Sequence, residues 1–262
     1  MILLFYAFAR EIAPFKRRCK PRSPISHHGL HGFTATVAGK QFTVIGHGIG
    51  HRRARETALS AFELVPEPEK IIATGVAGAL SAGLKPGDLV LADRILMLDA
   101  GSEVARRVDS IAASDLQDAG RALTRAGLRH SIGAMLTMHR VISAAEKRRA
   151  KDHTGAIAVD METAAIADEA SVRGIPFISI RAVLDEVDDE VPGAEMLDEQ
   201  GRVRPLAATS FFVRNPGVVL ELPKMIRNLG RATKSIADAL EAIAYDGDLP
   251  SAKKRRATGS AG

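Results

Sequence analysis

Cysteine is almost missing from this 262-residue chain, tryptophan is absent, and aromatic residues make up only 4%. The single Cys19 excludes an internal disulfide and any cysteine-cluster zinc site, and it fits a reducing, cytoplasmic setting. So few rings argue against a stacking platform for single-stranded nucleic acid. No apolar run approaches the length of a membrane span. The opening Met1-Ile-Leu-Leu-Phe-Tyr-Ala-Phe-Ala9 has no basic residues ahead of it and stops at Arg10-Glu11. It is therefore read as a buried first strand rather than a secretion signal.

What is present is a chain able to build a core, with 46% hydrophobic and 26% charged residues. The net charge of +5 is mostly a property of the end, where Lys253-Lys254-Arg255-Arg256 carries four of the five charges. Nucleic acid binding through that run is a possible role, but a solvated, disordered basic tail over 249–262 is the expected one.

Strand and helix signals alternate along residues 1–248, which are expected to form one α/β domain. The stretch punctuated by Pro14, Pro21 and Pro24 reads as irregular. Phe33–Val37 and Phe42–Ile45 flank Gly39-Lys40 as a hairpin, and a helix is expected from Arg52 to Val65. Further strands are predicted at Ile71–Gly75, Asp88–Asp93, Ile132–Thr137, Ala156–Val159 and Pro176–Leu184. Helices are predicted over Ser114–Ala126, Met161–Arg173 and Leu229–Ala244.

Ligands of open α/β sheets sit beyond the carboxyl ends of the strands, which directs attention to Glu11, Gly75–Gly78, Glu162 and Asp185. Asp185 ends an apolar strand, where burial can keep a carboxyl protonated as a general acid requires. It is also the first residue of the acidic run Asp185–Glu190, and base rates for aspartate favour a solvated role. Glu162 can complement a helix dipole or accept bonds from sugar hydroxyls. Glu11 is either a surface acid of a first helical turn or a base holding water. Gly75-Val76-Ala77-Gly78 lets backbone approach a ligand closely. It lacks the Gly-Lys-Ser/Thr of a phosphate loop, and Gly46-x-Gly48-x-Gly50 lacks the dinucleotide spacing, so no nucleotide cofactor is expected. His27, His28, His31, His47, His51 and His139 invite a metal reading, but none forms a His-Glu-x-x-His pair, and Gly-flanked histidines are mostly in loops. No metal is expected.

Taken together, Thr74-Gly-Val-Ala-Gly-Ala-Leu80, Pro86-Gly-Asp-Leu-Val90, Val159-Asp-Met-Glu-Thr-Ala-Ala-Ile-Ala167 and Arg181-Ala-Val-Leu-Asp185 resemble the purine nucleoside phosphorylase/nucleosidase superfamily. The order and spacing cover about residues 1 to 245. Within it the chain is similar to methylthioadenosine/S-adenosylhomocysteine nucleosidases. Through Asp198–Gly201 and the segments from Pro205 to Ala244 it is also similar to the hopanoid-associated phosphorylase-like subgroup.

The resemblance implies a three-layer α/β/α sandwich with a twisted, mixed and largely parallel central sheet. It also implies a homo-oligomer, a small-molecule nucleoside substrate and cleavage of an N-glycosidic bond. Carried over by motif, Asp185 protonates the purine as it leaves and Glu11 holds the attacking water. Glu162 binds ribose hydroxyls and Met161 packs on the sugar. Val76, Ala77, Gly78 and Ile142 line the pocket, and Arg181 steadies the aspartate region.

Whether water or phosphate attacks depends on cationic partners. Phosphorolytic members of the bacterial hexameric type have an arginine where this chain has Ala73, and Arg52, Arg53 and Arg55 read as a solvated helical face. Water is favoured. Val76 and Leu184 stand where relatives often have hydroxyl residues, which suits a more apolar ligand, adenosylhopane among them. The competing readings are a phosphorylase and a non-catalytic nucleoside-binding protein on the same fold.

Overall fold

The computed structural model describes residues 1–27, 29–98, 105–108, 113–190 and 222–245. In chain order the elements are β1 (Ile2–Tyr6), α1 (Ala9–Arg18), β2 (Arg22–His27), β3 (Leu30–Val37) and β4 (Lys40–Gly46). Then come α2 (His51–Leu64), β5 (Lys70–Ala79), β6 (Leu89–Met97), β7 (Arg106–Val108), α3 (Ala113–Arg125) and β8 (His130–Thr137). The chain continues through α4 (Ala144–Thr154), β9 (Ala158–Asp160), α5 (Thr163–Val172), β10 (Phe177–Asp185) and α6 (Leu222–Ala244). The tail expected over 249–262, and the Asp198–Gly201 and Pro205 features, lie outside the described residues.

One twisted mixed sheet runs in the order β10-β6-β8-β9-β5-β1-β4-β3-β2, with β7 beside β6 and a further pairing of β10 with β5. Parallel pairing holds together two inner runs, β4-β1-β5-β10 and β6-β8-β9. Antiparallel pairing joins those runs and forms the rims. The strand sequences explain why the sheet is covered on both sides. Leu3, Phe5, Ile71 and Val183 face one layer, with Ala54, Ala58 and Ala61 of α2 and Ala164–Ala167 of α5. Leu4, Ile72, Ile180 and Ala182 face the other, with Ile12 and Phe15 of α1, Leu123 of α3 and Ile236 and Leu240 of α6. Alternate residues of single strands thus serve two cores, as a three-layer sandwich requires. None of the described helices is long and apolar enough to cross a membrane.

The reading of residues 14–32 as irregular is corrected. Pro14 lies inside α1, where the carbonyl it leaves unpaired belongs to exposed Arg10. Pro24 sits in β2, the outermost strand, where a missing N–H removes no inner ladder bond. Helix α4 is absent from the sequence reading although its start is legible. Ser143 accepts from Glu146 N at 3.3 Å and Glu146 accepts from Ser143 N at 2.9 Å, a reciprocal cap at the head of a helix that ends on left-handed Gly155. Ser143→Ala is expected to cost about 1 kcal/mol, read as a lower midpoint in urea at unchanged slope.

Candidate active site

Three features of chain direction gather the acids. The strands β1, β4, β5 and β10 run parallel, so Ala7, Gly46, Gly75–Gly78 and Asp185 share one edge of the sheet. Strand β9 runs the opposite way beside β5, pairing Val159 with Gly78. Its continuation therefore carries Asp160, Met161 and Glu162 back toward Gly75. Finally, α1 begins directly after β1 and puts Glu11 in its first turn.

Glu11 is 1% exposed. Its Oε2 accepts from Ala7 N at 2.8 Å and Phe8 N at 3.1 Å, and its Oε1 accepts from Val76 N at 2.9 Å. A carboxylate offers about four acceptor positions, so one remains, on Oε1. That atom faces Gly75. A Cβ at Gly75 would lie 2.7 Å from Glu11 Oε1 and 2.4 Å from Arg181 Nη1, and its φ of +147° disfavours a side chain as well. Burial raises the Glu11 pKa, against the lowering by Arg181 and the three N–H donors.

Arg181 is 0% exposed. Its guanidinium donates to Asp160 Oδ2 at 2.7 Å, Thr163 Oγ1 at 2.8 and 3.1 Å, and Thr74 O at 3.1 Å. Asp160 is held further by Thr137 Oγ1 at 2.7 Å and by Thr163, whose N–H donates at 3.1 Å and whose hydroxyl also bonds it.

Glu162, 5% exposed, accepts from Gly50 N at 2.8 Å. Gly50 caps α2 with a φ of +100°, a geometry that suits glycine. Burial first and the charge of Asp160 second push the Glu162 pKa up to about 8, against Arg181 and the Gly50 N–H. Its carboxyl therefore keeps its proton at neutral pH.

Asp185 is 9% exposed and lies across β5 from Gly78, where a Cβ would be 3.1 Å from Asp185 Oδ2. A bulge at Leu184 separates it from Val183, so it pairs with Gly78, one residue short of regular register, and its side chain is re-aimed. Burial raises its pKa, and the Lys147 ammonium that bonds Oδ2 lowers it.

The structure brings Glu11, Glu162 and Arg181 together around Gly75, and sets Asp185 three residues along the same strand pair. Val76 is half-buried and Ala77 buried between these ends. Met161 is half-buried beside Glu162. Ile142 packs with Leu80, Leu136 and Val159, and so reaches Gly78 through Val159. The expectation for Arg181 is corrected: the aspartate it holds is Asp160, because Asp185 lies three ladder positions, roughly 10 Å, further along the β5–β10 pair. The cation on Asp185 is Lys147, which the sequence reading missed.

The acidic run is solvated in part: Asp188 and Glu190 are exposed, while Asp185 is buried and Glu186 and Asp189 are half-buried, and each of the acids after Asp185 has a partner. Glu186 pairs with Lys85 at 2.5 Å, Asp188 with Arg148 at 2.6 Å, Asp189 with Lys224 at 2.6 Å, and Glu190 accepts from Ala144 N at 3.1 Å.

Several histidines also fall elsewhere than in loops: His27 and His31 are in strands, and His51 opens α2. His47 follows β4, buried, with Nδ1 donating to Gly48 O at 2.6 Å. Burial lowers its pKa to about 3, so it is neutral. Its Nε2 has no partner among the described residues. An open groove lined by Met1, Arg22, Thr34, Gln41 and Phe42 lies at the opposite end of β1 and β4, and holds none of these acids.

The Glu162 shift has a consequence for stability. An acid protonated in the folded chain but ionised when unfolded makes stability fall as pH rises, between its unfolded value near 4.5 and its folded value of about 8. Glu162→Gln is expected to flatten that fall and to raise the melting temperature at pH 8 by a few degrees relative to pH 5. Thermal melts of both proteins across this range check it.

Comparison with known proteins agrees with this fold. The phosphorylase superfamily model matches residues 2–212. A curated 5′-methylthioadenosine/S-adenosylhomocysteine nucleosidase from Staphylococcus aureus is 26% identical over 204 residues, covering 72% of this chain and 88% of that protein. Among solved structures, the nucleosidase of the same name from Neisseria meningitidis, in complex with methylthio-immucillin-A, superposes with a TM-score of 0.68. It has 22% identity, with 92% of this chain and 98% of that one covered. Futalosine hydrolase of Helicobacter pylori gives 0.68 at 19% identity, covering 92% and 97%. With 211 consecutive residues matched, the chain belongs to the phosphorylase superfamily.

Proposed function

We propose that the chain hydrolyses the N-glycosidic bond of an adenosine-type purine nucleoside and releases the free base. The observation that carries this reading is the division of labour among three buried acids on one sheet edge. Glu11 has a single open acceptor position, Glu162 is protonated, and Asp185 is bonded to a cation. The relatives named above as nucleosidases support it.

A nucleoside resists hydrolysis because its base leaves badly as an anion. A proton delivered through Asp185 to a ring nitrogen lets the base depart neutral, while the sugar passes through an oxocarbenium-like state. Glu11 Oε1 accepts a hydrogen bond from water and takes its proton as the oxygen attacks. Glu162, with one O–H and free acceptor positions, binds the vicinal hydroxyls, while the negative charge that Asp160 and Glu11 carry in excess of Arg181 stabilises the developing positive charge. Met161 packs against the sugar, Val76, Ala77 and Gly78 form the floor, and Ile142 closes the base end. Side chains thus supply every group the reaction needs.

Water rather than phosphate fits the cations. Ala73 is buried in β5, Arg52 is paired with Glu56 at 3.0 Å and Arg55 with Glu169 at 2.9 Å. Exposed Leu59 of α2 and Val172 of the adjacent α5 support a homo-oligomer, and the lone buried Cys19 supports a cytoplasmic setting.

Purified protein incubated with a panel of 5′-substituted adenosines is expected to release adenine and free sugar without phosphate. Ribose-1-phosphate formation would assign it as a phosphorylase, and no base release would leave a binding protein. Asp185→Asn and Glu11→Gln are each expected to lower kcat by about 10²–10⁴, read by adenine release.

A further inference from the structure

We propose that Lys147 supplies, through Asp185, the proton that the departing base takes up. The inference rests on the nucleosidase reading above and gives a source for the proton which that reading requires.

The argument starts from donors. Lys147 is 1% exposed, and its Nζ meets three acceptors: Asp185 Oδ2, Glu186 O at 2.9 Å and Asp189 O at 2.8 Å. Three acceptors match the three N–H bonds of an ammonium, whereas a neutral amine has two. That count puts three N–H bonds on Nζ and makes Asp185 Oδ2 the acceptor of one of them, so in this arrangement the proton between the pair lies on Lys147.

The other charged groups around this carboxyl are engaged elsewhere. Glu186 is on Lys85, Asp189 on Lys224, Asp188 on Arg148, and Glu190 on the Ala144 N–H. Among the described residues, the acidic proton lying on Asp185 is that of Lys147. Ser143 and Glu146 cap the helix that carries it, and the Glu186–Glu190 turn is pinned to the same helix, so the lysine has little freedom to move away.

The transfer balances. One Lys147 N–H bond breaks and an O–H forms on Asp185. That O–H then breaks as an N–H forms on the purine ring. The C1′–N bond breaks with its electron pair staying on the base, which leaves neutral. Water bonds to C1′ and its proton passes to Glu11. Lys147 regains a proton, and Glu11 loses one, when the site opens to solvent. Lys147 touches no substrate atom and is a positioning and proton-storing residue acting through Asp185.

Two substitutions test this, with 5′-methylthioadenosine as the probe. Lys147→Arg keeps the charge and the bonds but holds its proton too tightly to give it up. It is expected to melt near the wild-type temperature, with KM within about threefold and kcat down about 100-fold. Lys147→Met leaves Asp185 to take its proton from solvent. Its kcat is expected to be lowered as much near pH 8 but to recover relative to the wild type as pH falls. Wild-type rates in Lys147→Arg would overturn the proposal, leaving only a charge on Asp185. So would a Lys147→Met loss that is the same at every pH, and this arm decides alone if the arginine variant does not fold. A wild-type protein inactive on every nucleoside defeats the nucleosidase reading itself, a result distinct from either.

Discussion

Arg181 is the constraint around which the site is organised. A fully buried guanidinium is costly unless it is paired, and here it is paired with one carboxylate at 2.7 Å while two more, Glu11 and Glu162, lie within reach of its charge. One positive charge does not balance three negative ones in a dry interior. Asp160 holds the direct contact with Arg181 and takes three further bonds from Thr137 and Thr163. Glu11 is stabilised by three N–H donors. Glu162 accepts one N–H bond, and the missing charge balance appears there as a retained proton. At rest the site is one positive charge short. On the proposed reading a sugar passing through an oxocarbenium-like state brings that charge, so the cluster binds the transition state more strongly than the ground state, which is what accelerates a reaction.

The two ends of the site are electrostatically separate. Arg181 serves the end near Gly75 and Lys147 the end near Gly78, and each cation is tied to its own aspartate. The separation comes from strand geometry. Positions 181 and 185 are too far apart along β10 for one cation to hold both ends, and the bulge at Leu184 turns Asp185 into its own surroundings. A base-releasing step and a water-activating step can thus carry opposite protonation states a few residues apart. The apolar pair Val76 and Ala77 lies between them.

Much of this is legible in the sequence. The Ile- and Val-rich runs and the hairpin at Gly39-Lys40 correspond to observed strands, because their patterns are local, whereas β5 continues past the strand end predicted at Gly75 and runs through Gly78 to Ala79. Pro14 and Pro24 misled, since what makes a proline tolerable is the exposure of Arg10 and the edge position of β2, and neither is written locally. Helix α4 was readable from Ser143 and Glu146, but its hydrophobic stripe is weak because its buried face consists of Ala144 and Lys147. For Lys147 itself no local signal exists. Its partner is 38 residues away, and a lysine in a charged helix is ordinarily solvated. The acids were ambiguous for the same reason: Glu11 meets Val76 across 65 residues and Glu162 meets Gly50 across 112. The family resemblance named them, and only the topology shows why they meet.

The preference for water follows from the same charges. A phosphate nucleophile is an anion, and it would have to sit where the Glu11 carboxylate faces Gly75. The donors of Arg181 there are turned to Asp160, Thr163 and the Thr74 carbonyl, which leaves little to bind an incoming dianion. An arginine at position 73 would add the missing cation, but that position is a fully buried alanine whose β5 backbone is paired with Phe5 on one side and Ser179 on the other. A neutral molecule that can donate one proton to Oε1 meets no such repulsion. On this reading, nucleophile selection in a fold shared by phosphorylases and hydrolases is settled by the charge of the strand-end environment, without any change in the arrangement of the sheet.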